Sequence, residues 1–231
     1  DALRTLGGMP IAGVLGNHDF QSNQQDEVRA IIAAAGVQML EGSSVVWEIG
    51  SVRVAVAGSK GFGGGFEGTH ATAFGEPEMK GFVEHTHSLA DRLDTCLQEM
   101  DDADLRVLLL HYAPVRETLT GEPREIFPFL GSYLFAELAD RHGMDLVLHG
   151  HAHRGVERVR TTGGIPVGQV VKEAFEVSTM AANAAGSRMA MSARIFRSTS
   201  TPAALRPATK RPYGRPCWRE AFVRWCHSRD R

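Results

Sequence analysis

DLVLHGHAH, Asp145 to His153, is a short apolar run that ends in a cluster of histidines around one glycine. Asp145 to Leu148 reads as a buried strand. Residues two apart in extended backbone point to the same side, so His151 and His153 can both face a metal, while His149 points the other way and reads as structural. Working outward, LRVLLLHYAP, Leu105 to Pro114, repeats the design. A strand over Leu105 to Leu110, apolar except for Arg106, delivers His111 to the carboxyl edge of a sheet, where α/β proteins tend to place their sites. Further upstream, Met9 to Leu15 is apolar or small and empties into GNHD, Gly16 to Asp19. The Asn17 amide oxygen is a neutral metal ligand there, and Asp19 either orients His18 or caps the next segment. An asparagine carbonyl and imidazoles at strand ends suit Zn, Mn, Fe or Ni.

The segments between these strings alternate in period. Asp26 to Ala35 sets Val28, Ile31, Ile32 and Ala35 at helical spacing and stops at Gly36. A strand is expected over Val37 to Leu40. Val45 to Ile49 and Val52 to Ala57 read as a hairpin around Gly50-Ser51 that feeds a glycine-rich loop, Gly58 to Gly68. Pro77 to Met100 reads as one long helix. A proline-bearing loop from Pro114 to Pro128 leads to a helix over Gly131 to His142. Val156 to Val159 and Ile165 to Val171 read as closing strands around the turn Thr161 to Gly164. Strands and helices in alternation specify an α/β domain.

Three look-alikes fail on context. His85 and His87 have the spacing of a ligand pair but fall within a helix, where residues two apart diverge by about 200°. Asp140-Arg141-His142 lies at a helix end. Gly63, Gly65 and Gly68 match a dinucleotide-binding pattern, yet no helix opens behind them as that use requires. A lid or substrate-contact loop containing Phe62 and Phe66 is the better reading.

In order and strand context, GNHD, the His111 string and GHAH resemble the calcineurin-like metallophosphoesterases, and KGFGGGF, FGEPEMK and HYAPVRETLTGEP are similar to a prokaryotic branch of that family. The resemblance covers Pro10 to Val171. It implies a four-layer α/β/β/α sandwich and hydrolysis of a phosphomonoester or phosphodiester, a small-molecule substrate, by water activated at two divalent metals. It also implies that Asn17, His111 and His151 hold one metal, that His153 helps to hold the other, and that His18 gives a proton or hydrogen bond to phosphate oxygens. The family pattern opens with Asp-x-His and Gly-Asp blocks ahead of GNHD. Neither stands before Gly16, and no Gly-Asp pair occurs in the sequence. The expectation is therefore a fold lacking its first strands, with at most one metal, weakly held.

Composition bounds the rest. The chain of 231 residues, 43% hydrophobic, has the material for one core and an appendage. Its formal net charge of -2 is unevenly spread, because residues 187–231 hold 11 of the 25 Lys and Arg but only 2 of the 27 Asp and Glu. The sequence thus divides into a phosphoesterase domain over 1–178 and a basic, disordered tail over 179–231, too poor in large aliphatics to offset ordering entropy. Three cysteines fit a reducing compartment, and no leader or membrane-length apolar run is present, so a cytoplasmic location is expected. The runner-up is a non-catalytic binding protein with a vestigial metal site, whose Arg-rich tail, with Tyr213, Trp218 and Trp225, grips polyanions such as nucleic acid. Self-attraction between acidic body and basic tail is the simpler account of that charge.

Overall fold

Val54 to Ala57 and Val107 to Leu110 expose no surface at all, as befits neighbouring strands covered on both faces. The computed structural model describes residues 10–100 and 102–169, and the backbone alone of three further strands. Five strands opening the chain are β1 (Ile11–Gly13), β2 (Gln38–Met39), β3 (Ser43–Ile49), β4 (Val52–Ser59) and β5 (Gly65–Phe66). After β6 (Thr69–His70) come β7 (Leu105–Leu110), β8 (Leu146–His149), β9 (Arg158–Arg160) and β10 (Pro166–Gln169). The backbone-only strands are β11 (Phe175–Thr179), β12 (Met191–Ile195) and β13 (Phe222–Trp225). Helices are α1 (Gln25–Ala34), α2 (Pro77–Glu99), α3 (Phe127–Leu130) and α4 (Leu134–Arg141).

A six-stranded sheet runs β3-β4-β7-β8-β10-β9. Its four inner strands are mutually parallel, and both edge strands are antiparallel to them. Leu89, Leu93 and Leu97 of α2 and Phe135 and Leu138 of α4 cover one face, packing on Ala55, Ala57, Leu108 and Val147. The other face, with Val54, Val56, Val107, Leu109 and Leu148, packs on Ala12, Val14 and Leu40 around β1 and β2. Each such buried aliphatic contributes on the order of 2 kcal/mol. Those two short strands belong to a second sheet, ordered β12-β11-β13-β1-β2, and α1 lies against β2. Helices and two facing sheets make the mixed α/β layering that the resemblance implies.

Several expectations shift. The helix α1 ends at Gly36 with φ 93°, as its glycine stop predicts, but none of its residues is buried and Ile31 is 63% exposed. The helix expected from Gly131 begins at Leu134, because Gly131 and Ser132 instead bridge to Ala113 and Gly65. The loop Pro114 to Pro128 carries two short 3-10 turns, at Arg116–Leu119 and Arg124–Ile126. In the glycine-rich segment, β5 and β6 form a small hairpin whose Gly65 has φ 97° and whose Phe66 is buried edge-on to Phe127. Phe66 is thus core rather than a substrate contact. His85 and His87 are exposed on α2. No described helix is long and apolar enough to cross a membrane. The basic tail lies outside the described residues except for the backbone of β11, β12 and β13, and the side chains of Tyr213, Trp218 and Trp225 are among the undescribed ones.

Candidate functional site

Parallel pairing decides which residues meet. Ser59 of β4 is level with Leu110 of β7, and Leu109 of β7 is level with Leu148 of β8. The chain therefore leaves three adjacent strands at Lys60, at His111 and at the GHAH turn, all on one sheet edge. The contacts continue the register past the ladder: the Lys60 carbonyl accepts from the His111 and Tyr112 amides at 3.1 Å, and the Gly150 amide donates to the His111 carbonyl at 3.2 Å. From the facing sheet, β1 empties through Val14 and Leu15 into the 3-10 turn Asn17–Phe20.

That turn sits directly on His111. A Cβ on Gly16 would lie 2.8 Å from His111 Cε1, so only glycine permits the approach. Asp19 Oδ2 accepts the Gly16 amide at 2.7 Å, so the carboxylate fastens its own turn rather than orienting His18. Across the junction His111 Nε2 lies 2.8 Å from Asn17 Oδ1, the ring donating and the amide oxygen accepting. His151 stands beside this pair, its ring centroid 4.9 Å from that of His111 and 4.4 Å from that of Tyr112. Its backbone has φ 70°, a conformation that a non-glycine residue adopts only where the surroundings impose it.

The structure brings together Asn17, His111 and His151, with His18 close enough to depress the proton affinity of both rings. His153, two residues on, is exposed, whereas Asn17, His111 and His151 are half-buried, and it lies near enough to His151 to lower that ring's proton affinity. The GHAH turn is held from below by two residues that sequence patterns do not single out. Glu122 Oε1 accepts the amides of His153 and Arg154 at 2.5 and 2.8 Å, and Gln169 Nε2 donates to the Ala152 carbonyl at 2.9 Å. His149 is wholly buried, its Nδ1 donating to the Gly150 carbonyl at 2.9 Å and its Nε2 without a partner among the described residues.

Electrostatics keep these imidazoles neutral. Burial, then the neighbouring His151 and Lys60, hold His111 well below the ordinary histidine range. Burial brings His149 and His151 each down to about 4. Neutral imidazole is the form that ligates metals. Lys60, next to His111, is also held below its usual range by burial, against the opposing pull of the Glu41 carboxylate. A lysine directly behind the buried strand VAVAGS follows the rule that selects His111 behind LRVLLL. Ending that strand at Ala57 conceals it.

Whether these residues suit the metals implied by the resemblance follows from the donor set. Every converging donor is neutral, Asp19 and Glu122 are both engaged with backbone amides, and among the described residues no three His, Cys, Asp or Glu side chains are placed to hold a metal. Two dications about 3.5 Å apart repel by roughly 19 kcal/mol at an effective dielectric of about 20. These residues therefore do not fit a two-metal centre.

The chain is 23% identical over 169 residues to the uncharacterised protein YpbG of Bacillus subtilis strain 168, covering 72% of this chain and 48% of that protein. Among solved structures it is similar to a Staphylococcus aureus protein provisionally named a 5'-nucleotidase, at 19% identity and TM-score 0.44, covering 68% of this chain and 31% of that one. It is also similar to a hypothetical protein from Thermus thermophilus, at 17% identity and TM-score 0.38, covering 68% of this chain and 51% of that one. The chain thus spans about half the length of its curated relative. A family model described as calcineurin-like phosphoesterase matches residues 1–155, which takes in the GNHD turn, His111 and the GHAH turn, and so this chain belongs to the calcineurin-like phosphoesterase family.

Proposed function

We propose that this chain carries one side of a metal-dependent phosphoester hydrolase site, acting on a small-molecule phosphomonoester or phosphodiester. Its own donors sustain at most one weakly held divalent ion, Mn, Fe, Zn or Ni, and slow turnover. The observation that carries this reading is the hydrogen-bonded Asn17 and His111 pair with His151 beside it, three donors from three segments at the shared edge of two sheets. In this reading Asn17, His111 and His151 would hold the ion in exchange for the His111 to Asn17 hydrogen bond, and exposed His18 would donate to a phosphoryl oxygen. Gly16 and Asp19 hold the turn that presents Asn17 and His18. A cytoplasmic location belongs to the same proposal and is supported by the sparse cysteines.

Metal analysis combined with hydrolysis of an aryl phosphate diester tests it. Expected are less than one ion per chain and slow hydrolysis that His151→Ala removes. Two tightly bound ions with rapid hydrolysis would overturn the claim of impairment. No ion bound and no hydrolysis at any metal concentration would overturn the hydrolase reading itself.

A further inference from the structure

Lys60 is 7% exposed, yet its ammonium makes no ion pair or hydrogen bond among the described residues. Instead Nζ lies 5.0 Å from the ring centre of Phe20, 4.7 Å from that of Phe62 and 5.2 Å from that of Tyr112. The backbone below it is fixed at both ends. Its amide donates to Glu41 Oε2 at 3.0 Å, and its carbonyl accepts from His111 and Tyr112. Glu41 is itself engaged with Ser59 Oγ at 2.8 Å. Ring faces attract a cation but accept no hydrogen bonds in the ordinary sense, so the three N–H groups of this ammonium face a cage that satisfies its charge only in part. The Glu41 carboxylate draws on this charge from a distance but commits its oxygens to Ser59 Oγ and the Lys60 amide, so the desolvated ammonium is compensated only in part, and an arriving anion completes the compensation.

Location narrows the anion. Phe20 closes the turn that carries Asn17 and His18, and Tyr112 follows His111 and packs at a tilt against His151. The cage is thus walled by the segments that bear the candidate site. We propose that Lys60 is a substrate-binding residue whose caged ammonium receives a non-bridging phosphoryl oxygen beside the Asn17 and His111 pair. The stem lies in the aromatic cage and the head group meets the oxygen, a point-charge contact of the kind lysines make with phosphates. This inference rests on the phosphoester reading, but it concerns anion binding, which needs neither a metal nor turnover.

The test is titration of the full chain with inorganic phosphate, without added metal, followed by isothermal calorimetry and by thermal unfolding against a chloride control at matched ionic strength. Lys60→Met keeps an unbranched stem among the three rings and removes the charge. Lys60→Arg keeps the charge, and Lys80→Met, on the exposed side of α2, controls for a general loss of positive charge. Phosphate affinity is expected to fall at least tenfold in Lys60→Met, to return within about threefold in Lys60→Arg, and to stay unchanged in Lys80→Met. No phosphate binding by the parent chain at concentrations up to about 100 mM, or binding equal in Lys60→Met, would overturn the proposal. If Lys60→Met fails to fold, as circular dichroism would show, Lys60→Gln takes its place with the same expectation. Phosphate binding that depends on Lys60 without hydrolysis under any metal would leave this inference standing while the hydrolase reading fell. Hydrolysis with an unchanged KM in Lys60→Met would do the reverse.

Discussion

His111 Nε2 lies 2.8 Å from Asn17 Oδ1, across 94 positions of sequence, and joins the two sheets at their shared edge. The contact gives the half-buried His111 ring an acceptor, and it fixes where the GNHD turn sits relative to β7. Removing the acceptor in Asn17→Ala leaves a half-buried ring donor unsatisfied, and the expected cost is about 1 kcal/mol in chemical denaturation. A loss below about 0.5 kcal/mol would mean that water replaces the amide without penalty.

Gly16→Ala tests the close approach. Its φ of -102° suits any residue, so backbone strain plays no part, and the added methyl instead meets His111 Cε1 at 2.8 Å. Overpacking of this kind costs about 1–3 kcal/mol. The ring must also turn away, so the His111 imidazole NMR signals are expected to shift and metal affinity to fall. Unchanged signals would place the ring elsewhere.

Stability should fall on mild acidification. His149 is held near 4 by burial, against an ordinary value of 6.5. Between those values the unfolded chain binds the proton and the folded chain does not, so stability is full above about pH 6.5 and declines as the pH falls toward 4. The linkage contribution is at most about 3 kcal/mol. His151, also near 4, acts in the same direction. Urea denaturation at about pH 7.5 and about pH 4.5 should show the difference, and His149→Asn should make it smaller, with His151 supplying a remainder. A slope unchanged in the variant would assign the whole effect to other groups.

A carboxylate acts in the same direction at lower pH. Asp94 Oδ1 lies 2.6 Å from His142 Nε2 and 3.2 Å from Arg141 Nη1, tying α2 to α4. The hydrogen bond to His142, then the Arg141 charge, hold the carboxyl below its usual value despite the opposing effect of its partial burial. Its contribution is present above about pH 4 and is lost as the pH falls through the depressed value. Since the pair is partly exposed, Asp94→Asn should cost no more than about 1 kcal/mol at about pH 7. A larger loss by thermal unfolding would reveal a structural role for the α2 and α4 contact beyond this pair.

Glu122→Ala should loosen the GHAH turn, because one carboxylate oxygen accepts two consecutive amides there. About 1–3 kcal/mol is expected, since hydrogen bonds to a charged group are the stronger kind. Hydrogen exchange at the His153 and Arg154 amides should accelerate while that of β7 stays protected. Equal acceleration in both would show global destabilisation instead.

Much of this was legible from residue order alone. The β7 strand appears with the bounds its apolar run dictates, α2 differs from its expected span by one residue at the carboxyl end, and the β3 and β4 hairpin turns at Gly50, whose φ is 64°. These elements are set by local periodicity and by glycine's access to left-handed backbone, both properties of a short window. The segment Gly131 to Tyr133 departs from its helical expectation because bridges to Ala113 and Gly65 compete for its backbone.

The strings GNHD, HYAP and GHAH therefore determined the family and named Asn17, His18, His111, His151 and His153 before any contact was known. Which of them converge was decided by the parallel register of β4, β7 and β8 and by the facing of β1 across the shared core. Tertiary structure alone set His153 at the surface, placed the Glu122 carboxylate under the GHAH turn and put the Lys60 ammonium among three rings from separate segments. The physical reason is that a strand's residues reveal that it is buried and where it ends, whereas the identity and register of its neighbours depend on pairing between distant segments.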